Sequence, residues 1–441
     1  MDSFQAIKFI YDSYVSAASH LPAELLDIHR RHPQYCRELL EGLGLDRETP
    51  PTVLITGSKG KGSTSAMLAG ILGSNYERVG LFTGPHLMDF CERIRLNGRK
   101  IPEADFVRLV EKIKPLAQRI IDRIPQDHYL GPVGMVLAVA LLWYQEEGSD
   151  FHVVECGRGG LSDDTNVLIN RWSVMTPVML EHPRELGPTV PDIAANKLGI
   201  VKGGQQVLIS YQQEPEVARL VESICRRLQV PLKMMGRDFR VEPLSTSLEG
   251  TRFRYWSGQR EGEFVTPLAG GFQAYNAAVA MAAAEEIVPG LANDAIQSGL
   301  GTVSWPGRCE YVPGEPPVIL DGAINTESAS LLAEVLKSLS QPLYLVTAVP
   351  QDKDWRGLLK VLAPICQGVW LTQADNPHLV FPKPEEVVAE ARQFNHNVSF
   401  SDTPLAAMEE AARHGQGVVV VAGTQSLVRD AKVVLAQWGR Q

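Results

Sequence analysis

The sequence predicts an α/β protein of two domains, each built on a mostly parallel sheet with helices on both faces. Three observations predict it. Short β-branched runs alternate with longer helical stretches along most of the chain. A glycine-rich turn joins the first strand to the helix after it. The chain has 441 residues, beyond the roughly 250–300 at which a single core stops growing.

The elements can be taken in order. Residues 2–45 read as helical, with apolar positions at helical spacing at Phe4, Ile7, Ile10 and Tyr14, and Pro50-Pro51 ends the helical region. Residues 52–56 form a short β-branched run, read as a buried strand. After the glycines, residues 65–72 are rich in Ala, Leu and Met and read as a helix. Residues 78–82 are a strand, 103–121 and 133–145 are helices, and 151–156, 173–176 and 206–210 are strands. The pattern changes between 236 and 266. Residues 240–241, 251–256 and 263–265 alternate and are split by turns, which predicts a small antiparallel insert. An alanine-rich helix is expected at 274–288, and Gly, Ser and Pro positions at 290–307 mark the boundary between a domain of residues 1–300 and one of residues 301–441. In the second domain, 318–320, 343–347, 369–372 and 418–422 read as strands.

Composition narrows the function classes. Hydrophobic residues make up 44% and charged residues 21%, the profile of a globular chain. The formal net charge of −9 argues against a nucleic-acid partner, which calls for a basic face. The start, Met1-Asp2-Ser3, has an early acid and no basic stretch, so no secretory signal is expected. The longest apolar run, residues 133–144, is short of the ~20 residues that span a bilayer. Cys36, Cys91, Cys156, Cys225, Cys309 and Cys366 are scattered with no CxxC pair. That points to a reducing compartment, hence a cytoplasmic protein without a membrane, and none of the six is assigned a metal or catalytic role.

The clearest chemistry lies in Thr56-Gly57-Ser58-Lys59-Gly60-Lys61-Gly62-Ser63-Thr64, between a predicted strand and a predicted helix. Glycines let the backbone approach phosphates, and the helix N-terminus adds partial positive charge. Lys61 is placed to reach the β- and γ-phosphates of a nucleotide, and Ser63 or Thr64 to face a magnesium ion. The pattern departs from GxxxxGK[ST] at two points. Ile55 takes the first glycine position, and Gly62 separates Lys61 from Ser63.

Further motifs follow in series: Thr83-Gly84-Pro85-His86-Leu87, then Glu92-Arg93-Ile94-Arg95-Leu96-Asn97-Gly98; Glu155-Cys156-Gly157-Arg158-Gly159-Gly160 with Asp163 and Thr165-Asn166-Val167; Leu180-Glu181-His182 with Leu186-Gly187; Lys197 before Gly199-Ile200. After these come Gln273 with Asn276-Ala277, Trp305-Pro306-Gly307-Arg308, Asp321-Gly322-Ala323, Asp352-Lys353-Asp354 and Gly423-Thr424. In this order they resemble the Mur ligase superfamily over about residues 50–430, and most closely its folylpolyglutamate synthase/dihydrofolate synthase branch.

The resemblance implies a P-loop-containing central domain of the Mur ligase type, followed by a smaller Rossmann-like C-terminal domain. It also implies a reaction: a substrate carboxylate attacks the γ-phosphate of ATP, and an amino-acid nitrogen, glutamate favoured, attacks the resulting acyl phosphate. It places Gly57, Ser58, Lys59, Gly60, Lys61, Gly62, Ser63 and Thr64 on the phosphates, and Asn276, Arg308 and Asp321 on the adenosine end and phosphates. Ser63, Glu155 and His182 become magnesium ligands. Lys197 aligns with a lysine that the family carries as a carbamate, and Lys61, Lys197, His182 and Glu155 make up the catalytic set. His86, Arg93 and Asp163 are expected to line the acceptor pocket; taken by themselves, His86 and Arg93 fit surface roles equally well, and Asp163 and Asp164 could instead cap a helix or turn. The resemblance favours a monomer whose partners are a small-molecule carboxylic acid and an amino acid.

Four positions depart from the branch: Gly84 where a serine helps bind metal, Leu161 where arginine is common, Phe272 in place of a histidine, and Ile324 in place of a histidine near the reacting groups. They leave two other readings open. One is an amide ligase of this type with a non-folate acceptor. The other is a nucleotide-binding protein without ligase turnover.

Overall fold

The computed structural model describes residues 1–21, 25–46, 50–414 and 416–440. It divides into two compact units. The first comprises Met1–Glu242, Arg254–Phe264 and Tyr275–Val303; the second comprises Pro243–Phe253, Val265–Ala274 and Ser304–Gln441.

The first unit is organised on an eight-stranded sheet. In chain order its strands are β1 (Thr52–Thr56), β2 (Val79–Phe82), β3 (Ile94–Leu96), β4 (Arg99–Lys100), β5 (Phe151–Glu155), β6 (Trp172–Met175), β7 (Val207–Ser210) and β8 (Leu232–Met234). Across the sheet they run β4-β3-β2-β5-β1-β6-β7-β8. From β2 to β8 the pairings are parallel, while β3 and β4 add antiparallel edges. β1 lies between β5 and β6, and all its residues are buried. An unbroken Val-Leu-Ile run is what a strand covered on both faces requires. Register aligns Ile55 with Glu155 and Thr56 with Met175, so the loops after β1, β5 and β6 leave the same edge of the sheet. In an open α/β sheet, that carboxyl edge is where ligands bind.

The helices of this unit are α1 (Ser3–Ala18), α2 (Asp27–Arg30), α3 (Pro33–Gly42), α4 (Lys61–Leu72), α5 (Glu103–Ile121), α6 (Pro132–Glu146), α7 (Pro183–Leu186), α8 (Val190–Lys197), α9 (Pro215–Leu228), α10 (Gly271–Ile287) and α11 (Asn293–Gly301). The apolar run at 133–144 is inside α6, buried from Gly134 to Tyr144. No described helix is long and apolar enough to cross a membrane.

Two sequence expectations change here. The single helical region at 2–45 is three helices, and its residues 22–24 lie outside the described residues. In α1 the inward face is Ala6, Phe9, Ile10, Ser13 and Ala17, while Phe4 and Tyr14 are exposed. Phe4 and Ile7 share a stripe with Ile10 in the pattern, but the neighbouring stripe is the one packed on α5 and α6. The β3–β4 hairpin was not anticipated. Its signal was Asn97-Gly98, a pair suited to a two-residue turn because both positions need positive φ.

Strands β9 (Phe239–Ser247), β10 (Gly250–Ser257) and β11 (Glu261–Thr266) form the three-stranded sheet at the expected insert, each longer than its sequence pattern. A two-residue link between β9 and β10 can join only antiparallel strands.

The second unit carries a six-stranded sheet of β12 (Glu310–Val312), β13 (Val318–Asp321), β14 (Leu343–Ala348), β15 (Gly368–Leu371), β16 (Val398–Phe400) and β17 (Val418–Gly423), in the order β12-β13-β17-β14-β15-β16. Only β12 is antiparallel to its neighbour. Helices α12 (Thr326–Leu336), α13 (Trp355–Leu362), α14 (Pro384–Ala391), α15 (Pro404–Ala412) and α16 (Gln425–Gln437) alternate with these strands. A separate core of Ile319, Leu336, Leu345, Leu358 and Val420 lies beneath them.

Candidate active site

The loop after β1 turns directly into α4. Gly57 has φ 142° and Gly60 has φ 80°, and Gly60 is the residue that caps the helix. A side chain at Gly57 would run into the Thr176 hydroxyl, and one at Gly60 into Asn276 of α10. Both turns therefore need glycine for conformation and for space. The loop is fixed from below. Thr56 Oγ1 donates to Gly159 O at 2.7 Å, and Ser58 N donates to Pro177 O at 2.7 Å. Asn276 thus lies against the glycine that opens the helix.

Two ammonium groups converge on one carbonyl. Lys61 Nζ donates to Gly57 O at 2.9 Å and Lys197 Nζ donates to the same oxygen at 2.7 Å. Lys197, at the end of α8, is 1% exposed and forms an ion pair with Glu181 at 2.8 Å. Burial and the nearby Lys61 charge pull the Lys197 amine down to about 8. Burial pushes the Glu181 carboxyl up, but Lys197 and Lys61 outweigh it and hold it below the ordinary carboxylate range. Glu181 was not among the sequence-predicted site residues, although it stood in the quoted Leu180-Glu181-His182 motif.

Thr64 is fully buried and its hydroxyl has no partner; Ser63, beside it in the first turn of α4, is also buried. Glu155 ends β5, is buried, and accepts from Gly84 N at 3.3 Å. His182 caps α7 with φ 50°, and burial lowers its affinity for a proton. Among the described residues, no three His, Cys, Asp or Glu side chains form a group that could hold a metal ion.

The loop after β2 brings His86 and Arg93 to each other. Arg93 Nε donates to His86 Nδ1 at 3.0 Å, and the guanidinium lies over the Phe90 ring. Burial depresses the Arg93 pKa, while Tyr11 and Glu155 act against that shift. Asp163 acts in this structure as a cap, the other reading that the sequence left open for it. It is fully buried, and its oxygens accept from Gly157 N, Thr165 N, Thr165 Oγ1 and Arg31. It caps the turn after β5, and no lone pair is left facing solvent. Asp27 receives both Nε and Nη2 of Arg158, so α2 is tied to that same turn. Local sequence carries no sign of this tie, because the partners are far apart along the chain.

In the second unit, the β12–β13 pairing brings Arg308 and Asp321 together. Arg308 donates to Gly307 O at 3.4 Å, and Asp321 Oδ2 accepts from Cys309 N at 2.8 Å. Burial raises the Asp321 pKa against the opposing Arg308 charge. Ile324 is half-buried against the core of this unit.

Comparison with known proteins agrees with these features. Residues 307–424 match the model of the Mur ligase glutamate ligase domain. The chain is 30% identical to folylpolyglutamate synthase of Lacticaseibacillus casei, over 78% of this chain and 82% of that one. It is 29% identical to dihydrofolate synthase/folylpolyglutamate synthase of Bacillus subtilis (strain 168), over 89% and 92%. Among solved structures, Mycobacterium tuberculosis folylpolyglutamate synthase complexed with ADP and AMPPCP matches with a TM-score of 0.83 and 26% identity, over 94% of this chain and 96% of that one. A phosphate-type glycine loop with convergent lysines, a second α/β unit and a 30% identical relative together show that the chain belongs to the folylpolyglutamate synthase/dihydrofolate synthase family of Mur ligases, the ADP-forming ligases that join an acid to an amino acid.

Proposed function

We propose that this protein binds ATP and joins a folate-type carboxylic acid to glutamate. The observation that carries the proposal is the convergence of Lys61 and Lys197 on Gly57 O, at a loop whose backbone N–H groups open α4. In this reading the substrate carboxylate attacks the γ-phosphate, giving an acyl phosphate and ADP. The amino group of glutamate then attacks the acyl carbon, and phosphate leaves with the oxygen. Each step moves negative charge, so positioned cations and N–H donors are the chief requirement. Lys61 leaves Gly57 O for the phosphates, and the N–H groups of Gly57 to Thr64 hold the remaining phosphate oxygens. Asn276, against Gly60, is read as a contact to the nucleotide. In the second unit, Arg308 and Asp321 are assigned to the nucleotide on the family resemblance alone. Residues 1–300 are read as the ATP-binding domain and 301–441 as the C-terminal ligase domain.

Ser63 and Glu155 offer the hard oxygens that suit a magnesium ion, while the imidazole of His182 is an unusual partner for so hard a cation and is assigned on the family resemblance alone. Bound there, magnesium supplies charge neutralisation at the phosphates. On the family resemblance Lys197 is read as the lysine that carries a carbamate; as a free amine its nitrogen donates to Gly57 O and to Glu181. No step is derived through the carbamate.

The test is ADP release with Mg-ATP across acceptor acids, including dihydropteroate and tetrahydrofolate, each against a panel of amino acids. Release that requires a folate-type acid and glutamate is the expected result. A requirement for another pair would replace the folate reading, as the exposed apolar side chain of Leu161 beside the turn after β5 favours. ATP binding with no stimulated release in any combination would leave a nucleotide-binding protein.

A further inference from the structure

Arg260 and Glu285 lie outside every motif of the sequence, yet they form an ion pair in which both side chains are buried, 7% and 2% exposed. Arg260 sits in the turn between β10 and β11, and Glu285 in the last turn of α10. Besides Arg260 Nε, Glu285 accepts from Tyr255 Oη at 3.1 Å and from Ser257 Oγ at 3.0 Å. The rest of the guanidinium fork reaches past α10. Its Nη2 donates to Leu291 O at 2.8 Å and its Nη1 to Asn293 Oδ1 at 2.7 Å, where α11 begins. One planar group thus fixes the end of α10 and the start of α11 together.

Stability does not account for the pair. Two charges taken out of water gain little over apolar residues of the same volume. An acid in the last turn of a helix also opposes the helix dipole, and α10 has Glu285 and Glu286 there with no basic residue. What the pair fixes is position. α10 is buried from Ala277 to Ala284. Near its other end, about 14 Å away at 1.5 Å per residue, Asn276 fills the space beside Gly60. α11 lies with its backbone against that of α4: a Cβ on Gly70 would stand 2.6 Å from Gly299 O, and one on Gly299 would overlap Ile71 Cα. Both helices held by Arg260 therefore bear on α4, α10 at its cap and α11 at its last turn.

We infer that Arg260 is a positioning residue for the nucleotide site: through Glu285 it sets α10, through Leu291 O and Asn293 it sets α11, and the two helices hold Asn276 and α4 in register at Gly60. This rests on reading residues 57–64 as the phosphate loop and Asn276 as a nucleotide contact.

The test uses the full chain and a non-hydrolysable ATP analogue, so it needs neither acceptor nor amino acid. Arg260→Lys keeps a charge beside Glu285 and loses the fork to α11. Glu285→Gln keeps the shape and an acceptor for Tyr255 and loses the ion pair. Each is expected to weaken analogue binding about tenfold, the size of one charge-assisted hydrogen bond, with a matching rise in KM for ATP and kcat changed less. Arg254→Met removes an exposed ion pair with Glu263 on the same small sheet and is expected to bind as the native protein does. Dissociation constants are measured well below each Tm, on variants with the native circular dichroism spectrum. A tie that only stabilises would lower Tm and leave the affinity of the folded protein alone. Native affinity in the folded variants overturns the inference, as does an equal loss in Arg254→Met; where one of the two site variants does not fold, the other decides. A native protein that binds no analogue would instead sink the reading of residues 57–64, and this inference with it.

Discussion

Lys61, at the start of α4, and His152, on β5, show how differently two nitrogen-bearing side chains can act in one unit. Lys61 is held at 2.9 Å from Gly57 O and has somewhere to go when phosphate arrives. Replacing it as Lys61→Met removes the mobile cation and little packing. ADP release is expected to fall about 100- to 1000-fold, as when one transition-state donor is lost, while the far-ultraviolet circular dichroism spectrum stays native. His152, on β5, is 2% exposed, and neither ring nitrogen has a hydrogen-bond partner. Burial depresses its pKa from 6.5 to about 4. Below pH 6.5 the unfolded chain takes up a proton that the folded chain refuses. Stability present above pH 6.5 is therefore lost as pH falls toward about 4, by about 3 kcal/mol in total. Denaturant midpoints measured from pH 7 to pH 4 should show this loss, and His152→Leu should flatten it. An equally steep acid limb in the variant would assign the loss to other groups.

At the scale of elements, the site depends on how α4 and α8 begin. α8 starts with a capping box: Thr189 Oγ1 accepts from Asp192 N at 3.3 Å, and Asp192 Oδ2 accepts from Thr189 N at 3.1 Å. Thr189→Ala should cost about 1 kcal/mol, seen as a lower Tm, and should loosen the helix that delivers Lys197. α4 begins at Gly60 in the left-handed region, with Asn276 filling the space beside it. Gly60→Ala adds backbone strain of about 1 kcal/mol and displaces Asn276. Titration with an ATP analogue should show roughly tenfold weaker binding. Native affinity in that variant would mean that the turn is less constrained than its geometry implies.

For the whole molecule, binding energy appears as stability. Mg-ATP at about a hundred times its dissociation constant should stabilise the unit that binds it by about 2.7 kcal/mol, measured as a higher Tm. Lys61→Met should abolish most of that rise. Two units with separate cores also make a single all-or-none transition a poor expectation. Scanning calorimetry with and without Mg-ATP would show whether the nucleotide moves one transition or all of them. Chelation of magnesium is expected to stop ADP release while leaving the nucleotide-free melting profile unchanged.

Much of this was legible in the residues. The parallel sheets followed from Val-Leu-Ile runs set between helical stretches, since strands covered on both faces cannot afford polar alternation. The phosphate loop followed from glycines between a strand and a helix, because local backbone conformation dictates both. The hairpin at Asn97-Gly98 was equally local and was still missed, since its strands are too short to show a pattern. Other features were decided only by the tertiary structure. Asp163 became a buried cap because Arg31, distant in sequence, folds onto it. Which stripe of α1 faces inward was settled by packing on α5 and α6. The meeting of Glu181, Lys197 and Gly57 brings together the loop after β6, the end of α8 and the loop after β1. Periodicity and turn chemistry act over a few residues and are written in the chain itself. Burial, charge pairing and pKa depend on which distant segments meet, and only the folded arrangement sets that.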